Sequence, residues 1–291
     1  MGSGMEERDY RILEVLDQTK NITKAADALF MTQSALSKRV ALIEQELGVS
    51  LFVRSRHGIH FTPEGEVVLW GTRKAAKEME VMRERLALAS SGVLTGSLNA
   101  GVSIHYAKYN LPDILMEYHA SYPLVKTNIV TGVSRDLFLS LSSGNLDLAV
   151  VRGDYPWPEG SLLLEKESIC VITRDKEQAE NLNMLPYIGR RTDSAYMKGI
   201  SRWMRENDIH PVDNEMVVND LSTCVEMVSR GLGWAIVPHI CLRGFKGFAN
   251  PIEFKDGTLF ERSTYVLYSK NAESLPQIHA FLETIKHHVF G

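Results

Sequence analysis

Residues 22–56, ITKAADALFMTQSALSKRVALIEQELGVSLFVRSR, constrain the fold more than any other stretch. Ala26, Leu29 and Phe30 recur at helical spacing after Thr23, a residue able to cap a helix start, and Met31 and Thr32 break the pattern. A second helix is predicted from about 33 to 47, with Leu36, Val40, Ile43 and Leu47 on one face. Its outer, N-terminal part carries Gln33, Ser34, Ser37, Lys38 and Arg39, preceded by Thr32. Ala25 and Ala26 are small where two helices must approach closely, and Gly48 suits the positive φ that ends a helix. A strand-like piece at 51–53, Arg54 and Arg56 around a turn at Gly58, and a return through 59–61 then predict a small two-stranded wing.

This division of labour is what a DNA-reading helix needs. Its apolar stripe packs on the first helix, short polar residues and Gln enter the major groove, and Gln can pair with adenine. Lys38, Arg39, Arg54 and Arg56 are cations suited to phosphates. Any helical hairpin in a globular domain shows an apolar stripe, so the alanine pair, the glycine stop and the wing carry the distinction.

The order AADALFMTQSALSKRVALIEQELGVSLFVRS, followed by FTPEGE, resembles the N-terminal winged helix-turn-helix of the LysR-type transcriptional regulators. The alanine pair, the Gln-Ser-Ala-Leu-Ser run, the Ile-Glu-x-x-Leu-Gly ending, the Leu-Phe-x-Arg wing and Thr-Pro-x-Gly stand in order at the family's spacing. The resemblance implies binding to double-stranded promoter DNA, a homodimer or homotetramer, contact with RNA polymerase, and a small-molecule effector. It does not imply whether the protein activates or represses.

At 291 residues the chain has room for two or three compact units, and 44% hydrophobic content allows each a sizeable core. A net charge of -4 argues against a nonspecific nucleic-acid coat but permits one basic reading surface. Cys170, Cys224 and Cys241 have no CxxC spacing and sit in apolar runs, so buried reduced thiols are expected rather than a redox switch. No run approaches a membrane span and no signal core opens the chain, which leads to an expected cytoplasmic location. Residues 1–4, ahead of Met5, read as an appended remnant outside the fold.

From 63 to 90 one long helical pattern places Val68, Ala75, Met79, Met82, Leu86 and Ala89 on a heptad seam. A helix of about 28 residues spans about 40 Å, too long for one small domain to cover, so Val68, Ala75, Met79, Met82 and Leu86 are candidate dimerisation residues. In the family the equivalent helix pairs two subunits, and two recognition helices then address half-sites about one DNA turn apart.

The small, polar run at 91–96 reads as a hinge. Beyond it strands and helices alternate: strands at 98–102, 125–130, 146–151, 168–173, 186–188, 215–218, 234–237 and 263–268, helices at 106–118, 134–142, 195–207, 222–230 and 275–289. The expected organisation is a winged helix-turn-helix at 5–62, a linker helix at 63–90 and an α/β regulatory domain at 97–291 with a parallel sheet. Its first lobe would be 97–166 with 264–291 and its second 167–263, which resembles periplasmic solute-binding proteins.

Open α/β sheets bind ligands beyond the carboxyl ends of their strands, where helix N-termini offer unpaired N–H groups. The loops in question hold Ser103, His105 and Tyr106, then Thr131, Gly132 and Ser134, then Arg152, and in the second lobe Arg190, Arg191 and Thr223. Hydroxyl donors and arginines favour an anionic effector, a carboxylate in particular. Each has a plainer reading: the hydroxyls as helix caps, the arginines as surface residues or lobe-to-lobe ion pairs, His105 and Tyr106 as core. Gly231-Leu232-Gly233 precedes a strand and reads as a tight turn. With no GxSxG, HExxH or P-loop, no catalytic residue, metal site or cofactor is expected, and the protein is not an enzyme. The alternative reading is a solute-binding module whose N-terminal segment serves assembly only.

Overall fold

The computed structural model describes residues 5–55, 58–190 and 193–290, with the side chains of 54–55 and 213–215 also left out. Residues 1–4, Arg56 and Arg191, and the side chain of Arg54, therefore lie outside the described residues.

The amino-terminal unit opens with a helix the motif reading did not anticipate, α1 (Glu7–Thr19), followed by α2 (Ile22–Ala28) and α3 (Gln33–Leu47). Asn21, not Thr23, caps α2, accepting from the backbone N–H groups of Thr23 at 2.9 Å and Lys24 at 3.1 Å. Ala25 and Ala26 are buried against Ile12, Leu16, Leu36 and Val40, so the small residues do permit the close helix approach. Phe30 does not join this core. It sits in the turn at φ 54 with 99% of its surface exposed. Leu47 too is exposed beyond the buried stripe of Leu36, Val40 and Ile43, and Gly48 ends α3 at φ 70. The wing is an antiparallel pair, β1 (Phe52–Ser55) and β2 (Gly58–Phe61). At Gly58, φ is 113 and an added Cβ would lie 2.3 Å from the Lys20 carbonyl oxygen, so only glycine fits there.

One ion pair fixes α3 to α1. Asp9 is fully buried and accepts from Arg39 Nε at 2.6 Å and Nη2 at 2.5 Å, and from the Glu6 N–H at 2.8 Å. Burial alone would push the Asp9 carboxyl up, but the Arg39 and Glu6 hydrogen bonds outweigh it and hold the group below the ordinary aspartate value. Arg39, expected to face phosphate, has its Nε and Nη2 occupied by Asp9, and this pair helps to position the helix.

The linker helix α4 (Pro63–Ser91) has Thr62 as its cap and Gly92, at φ 67, as its stop. Its 29 residues extend about 43 Å, and they divide into three sectors. Leu69, with Val68 packed alongside, enters the core of the amino-terminal unit with Leu13, Ile43 and Leu51. A polar sector meets the regulatory domain: Arg73 binds Asp17 of α1 at 2.7 Å and the Ser143 carbonyl at 3.1 Å, and Lys77 binds Asp147 at 2.6 Å. The third sector is apolar and exposed, with Val67, Met79, Met82 and Leu86. Val68 is accordingly a core residue, and Val67 takes its place in the exposed stripe.

The regulatory domain begins with β3 (Gly96–Ser103), α5 (Ile104–Tyr109), α6 (Leu111–Ser121), β4 (Val125–Gly132), α7 (Ser134–Ser142), β5 (Leu148–Arg152) and β6 (Gly160–Thr173). Then come α8 (Lys176–Ala179), β7 (Pro186–Arg190), α9 (Ser194–Glu206), β8 (Val212–Val218), α10 (Leu221–Ser229), β9 (Ala235–Pro238), β10 (Phe248–Pro251), β11 (Glu261–Tyr268), α11 (Lys270–Glu273) and α12 (Pro276–Phe290). Strands β4, β3 and β5 run parallel, as do β7 and β8, but the sheet is mixed rather than parallel. β11 is antiparallel to both β5 and β6, and β6 is antiparallel to β9 and β10.

The reason is β6. It is 14 residues long, pairing through 160–168 with β11 in the first lobe and through 169–173 with β9 and β10 in the second. Return pairing already starts at Glu261↔Ser168, so the chain re-enters the first lobe about three residues before the expected boundary. The first lobe's main core gathers β3, β5, α6 and α12 residues, and the second's surrounds Cys170, Cys224 and Cys241. Burial pushes these free thiols up, to about 11 for Cys170 and about 12 for the other two, so they are protonated and inert.

Arg39→Gln should lower unfolding free energy by roughly 2–4 kcal/mol, because it leaves the Asp9 carboxylate buried without its cation. Urea denaturation measures this, and pairing the change with Asp9→Asn should recover part of the loss. Since the Asp9 pKa is depressed on folding, the pair's stabilisation is present above pH 3.8 and lost as pH falls below it; an unchanged urea midpoint in Arg39→Gln would contradict the assignment.

Candidate DNA interface and effector cleft

α3 presents a polar face opposite its buried stripe. Thr32, Gln33, Ser34 and Lys38 are exposed and Ser37 half-exposed, and positions 33, 34, 37 and 38 share one side of the helix. Thr32 caps α3, its hydroxyl accepting from the Ala35 N–H at 3.2 Å and lying 3.2 Å from Ser34 Oγ. Gln33 Nε2 donates to Ser37 Oγ at 3.1 Å. These are weak, exposed contacts that a stronger partner can replace at small cost. The turn ahead of this face carries Phe30, which the periodicity had assigned inward. A bulky residue at positive φ with nearly all its surface in water costs energy and returns nothing to the core.

The second site lies where β6 passes between the lobes. Arg152, at the end of β5, is buried and its Nη2 donates to Glu167 Oε1, while Glu167 Oε2 accepts from the Ile240 N–H of the second lobe at 2.7 Å. Arg152 is therefore held in an ion pair by Glu167, and it is the other carboxylate oxygen of Glu167 that reaches the second lobe. Ser134 is likewise structural: its Oγ accepts from the Arg152 N–H at 3.0 Å. Tyr106 is corrected from cleft to core. It is buried among Leu111, Leu148 and Val150, and burial raises its phenol well above the ordinary value. Thr223 is exposed and spends its N–H and hydroxyl on Asp220, at 2.7 and 3.0 Å, as part of the α10 cap. Thr131 is exposed and Gly132 half-exposed at the end of β4.

What remains is a concentration of buried polar atoms with no hydrogen-bond partner. Ser103 Oγ (residue 4% exposed), His105 Nδ1, Arg152 Nε, Tyr196 OH (5%), Arg262 Nε and Thr264 Oγ1 (1%) are all in this condition. They are neighbours. Thr264 stands opposite Arg152 in the β11–β5 ladder. Arg262 Nη2 donates to the Arg152 carbonyl at 3.1 Å and to Asp193 at 2.7 Å, and its guanidinium lies 5.1 Å from the Tyr196 ring centroid. Burial first, and then the positive charges of Arg152 and Arg190, bring the His105 imidazole down to about 4, so it is neutral at pH 7. Across the mouth, Lys108 reaches Ser222 Oγ at 3.4 Å, and Arg243 donates to the Tyr109 carbonyl at 2.6 Å.

Arg262, Tyr196 and Thr264 were absent from the sequence-based candidates. The loop-after-strand rule looks at strand ends in a parallel sheet, whereas these side chains enter from a crossing strand and from α9. Among the described residues no group of His, Cys, Asp or Glu is arranged to hold a metal. No helix among the described residues is long and apolar enough to cross a membrane.

Comparison with known proteins finds matches for both parts of the chain. Residues 8–66 match the family described as bacterial regulatory helix-turn-helix protein, lysR family, and residues 91–289 match the LysR substrate binding domain. The chain is 31% identical over 283 residues to YraN of Bacillus subtilis, an uncharacterized HTH-type transcriptional regulator, covering 97% of this chain and 98% of that one. The fold is shared with full-length LysG of Corynebacterium glutamicum with bound effector Arg (TM-score 0.65, 18% identity, 97% of this chain and 99% of that one). It is also shared with full-length CbnR complexed with its target DNA (TM-score 0.59, 17% identity, 98% and 100%). With a helix-turn-helix, a long linker helix and a two-lobed α/β domain in that order, matched at both ends, this chain belongs to the LysR family of DNA-binding transcription regulators and is not an enzyme.

Proposed function

We propose that the chain reads promoter DNA through Thr32, Gln33, Ser34 and Ser37 at base edges, with Lys38, Arg54 and Arg56 at phosphates, and that an anionic effector in the interlobe cleft controls the outcome. The observation that carries the DNA reading is the uncovered polar face of α3, set beside the wing and opposite a fully buried stripe. CbnR, solved on its target DNA, shares this fold and supports the reading. Val67, Ala75, Met79, Met82 and Leu86 supply a dimer seam along α4, with a homodimer or homotetramer as the working unit, located in the cytoplasm and acting on RNA polymerase. Against a solute-binding module without DNA reading stands the match of residues 8–66 to the lysR-family helix-turn-helix.

The effector reading rests on the orphaned donors around Arg262, Tyr196 and Thr264. Buried donors left without acceptors are costly, and a carboxylate supplies several acceptor sites together with the charge that Arg190 and Arg262 favour. LysG, solved with bound effector Arg, offers a small carboxylate-bearing ligand on the same fold.

Gel-shift titration against DNA upstream of the protein's own coding region tests the first reading. Gln33→Ala and Ser34→Ala should relax discrimination at particular base positions by about 1–3 kcal/mol per lost contact, whereas Lys38→Ala should weaken all sequences alike and reduce the salt slope by about one. Uniform weakening by all three would overturn the base-reading assignment. Phe30→Gly should leave the melting temperature equal or higher, since a left-handed residue is relieved, while DNA affinity falls; a lower melting temperature with unchanged affinity would place Phe30 in the fold instead.

For the cleft, a thermal-shift screen of small carboxylates beside their neutral amides is the measurement. Carboxylates should stabilise the protein, by about 2.7 kcal/mol at a hundredfold excess over Kd, and Arg262→Gln should remove the effect. Equal stabilisation by the amides would contradict the anion assignment. Because His105 is held neutral, with its pKa lowered from 6.5 to about 4 on folding, its contribution is present above pH 6.5 and is lost progressively as pH falls toward 4. Thermal stability should fall across that window, and His105→Asn should flatten the fall.

A further inference from the structure

A second cavity, separate from the interlobe cleft, lies between the linker helix and the first lobe. It encloses about 320 Å³, enough for a small organic molecule. One wall is α4, with Trp70 and Lys74. The other is the first lobe, with Trp157 from the β5–β6 loop and Lys270 at the start of α11. Leu141 and Leu146 supply an apolar floor.

Trp70 belongs to the lobe-facing side of α4, three and seven residues from Arg73 and Lys77, and not to the Val67–Leu86 stripe proposed for dimerisation. Its indole is 53% exposed. Trp157 is fixed by its Nε1–H, which donates to the Tyr268 carbonyl at 2.9 Å.

The charges around this space are unequally committed. Lys77 is neutralised by Asp147 at 2.6 Å and Glu80 at 2.9 Å, and Arg73 is held by Asp17 and the Ser143 carbonyl. Glu159 accepts from the Lys270 backbone N–H at 2.7 Å. The ammonium groups of Lys74 and Lys270 have no carboxylate within 4.0 Å among the described residues, and Lys74 Nζ lies 5.2 Å from the Trp70 ring centroid. Two uncommitted cations beside two indoles and an aliphatic floor suit a flat ring bearing one negative charge: the ring lies on apolar and aromatic surface while the charge meets an ammonium.

From this arrangement we infer that the cavity between α4 and the first lobe is a second effector site, for a small planar aromatic carboxylate. A ligand held by Trp70 and Lys74 on one side and Trp157 and Lys270 on the other binds only when the linker helix is docked on the lobe. Its differential affinity for the docked arrangement biases the orientation of the helix-turn-helix that the same linker carries.

The probe is nicotinate, with nicotinamide as its neutral counterpart and acetate as the same charge without a ring. Titration calorimetry and tryptophan fluorescence are run on the full chain carrying Arg262→Gln, which disables the proposed interlobe anion site and so separates the two ideas. Nicotinate should bind and quench emission, nicotinamide and acetate should bind at least tenfold more weakly, and Lys74→Gln with Lys270→Gln should weaken nicotinate at least tenfold. Both lysines are exposed, and an unchanged melting temperature confirms that the double variant folds. Trp70→Phe should remove most of the quenching. Equal binding of nicotinamide, unaltered nicotinate binding in the lysine variant, or loss of all binding on Arg262→Gln alone would each overturn the site.

Discussion

A helix of about 43 Å cannot be covered by one small domain, and everything else in this molecule is arranged around how α4 disposes of its surface. Leu69 completes the amino-terminal core, and Arg73 and Lys77 tie the helix to the first lobe. Arg73 is the pivotal residue because one guanidinium holds both Asp17 of the helix-turn-helix and the Ser143 carbonyl of the regulatory domain. Partly buried ion pairs of this kind contribute modestly to stability but specify orientation, since their geometry is met in only one docking. The apolar sector of Val67, Met79, Met82 and Leu86 is left exposed, and it is the face proposed for a second copy.

Within the regulatory domain β6 has the corresponding role. A single strand is paired in both lobes, and the Arg152–Glu167–Ile240 bridge sits at the crossing. The anion proposed for the cleft would meet this same bridge. Helix α3, in turn, is placed by Asp9 and Arg39, so its polar face owes its direction to an ion pair with α1.

Local structure was legible wherever a short pattern had only one packing solution. The helix expected at 134–142 is found as Ser134–Ser142, and α3 spans Gln33–Leu47 as its stripe and caps predict. What the pattern could not reveal is pairing over distance. Arg39 reads as a phosphate ligand until Asp9, thirty residues earlier, is seen beneath it. Arg152 reads as a ligand clamp until Glu167 is seen to hold it. In the six-residue α5, one step of periodicity separates Tyr106 in the core from His105 in the cleft, and so short a helix cannot settle which faces inward. The charged run LLLEKE concealed the first half of β6, whose exposed edge tolerates charge, and with it the crossing that makes the sheet mixed.

Sedimentation of the full chain tests the organising role of α4 most directly. The account predicts an assembly of two or four chains of 32.7 kDa, reduced to monomer by Met82→Glu with Leu86→Glu, with loss of tight binding to DNA carrying two half-sites. A native chain that sediments as monomer, or a monomeric variant that binds paired half-sites as tightly as the native protein, would contradict it.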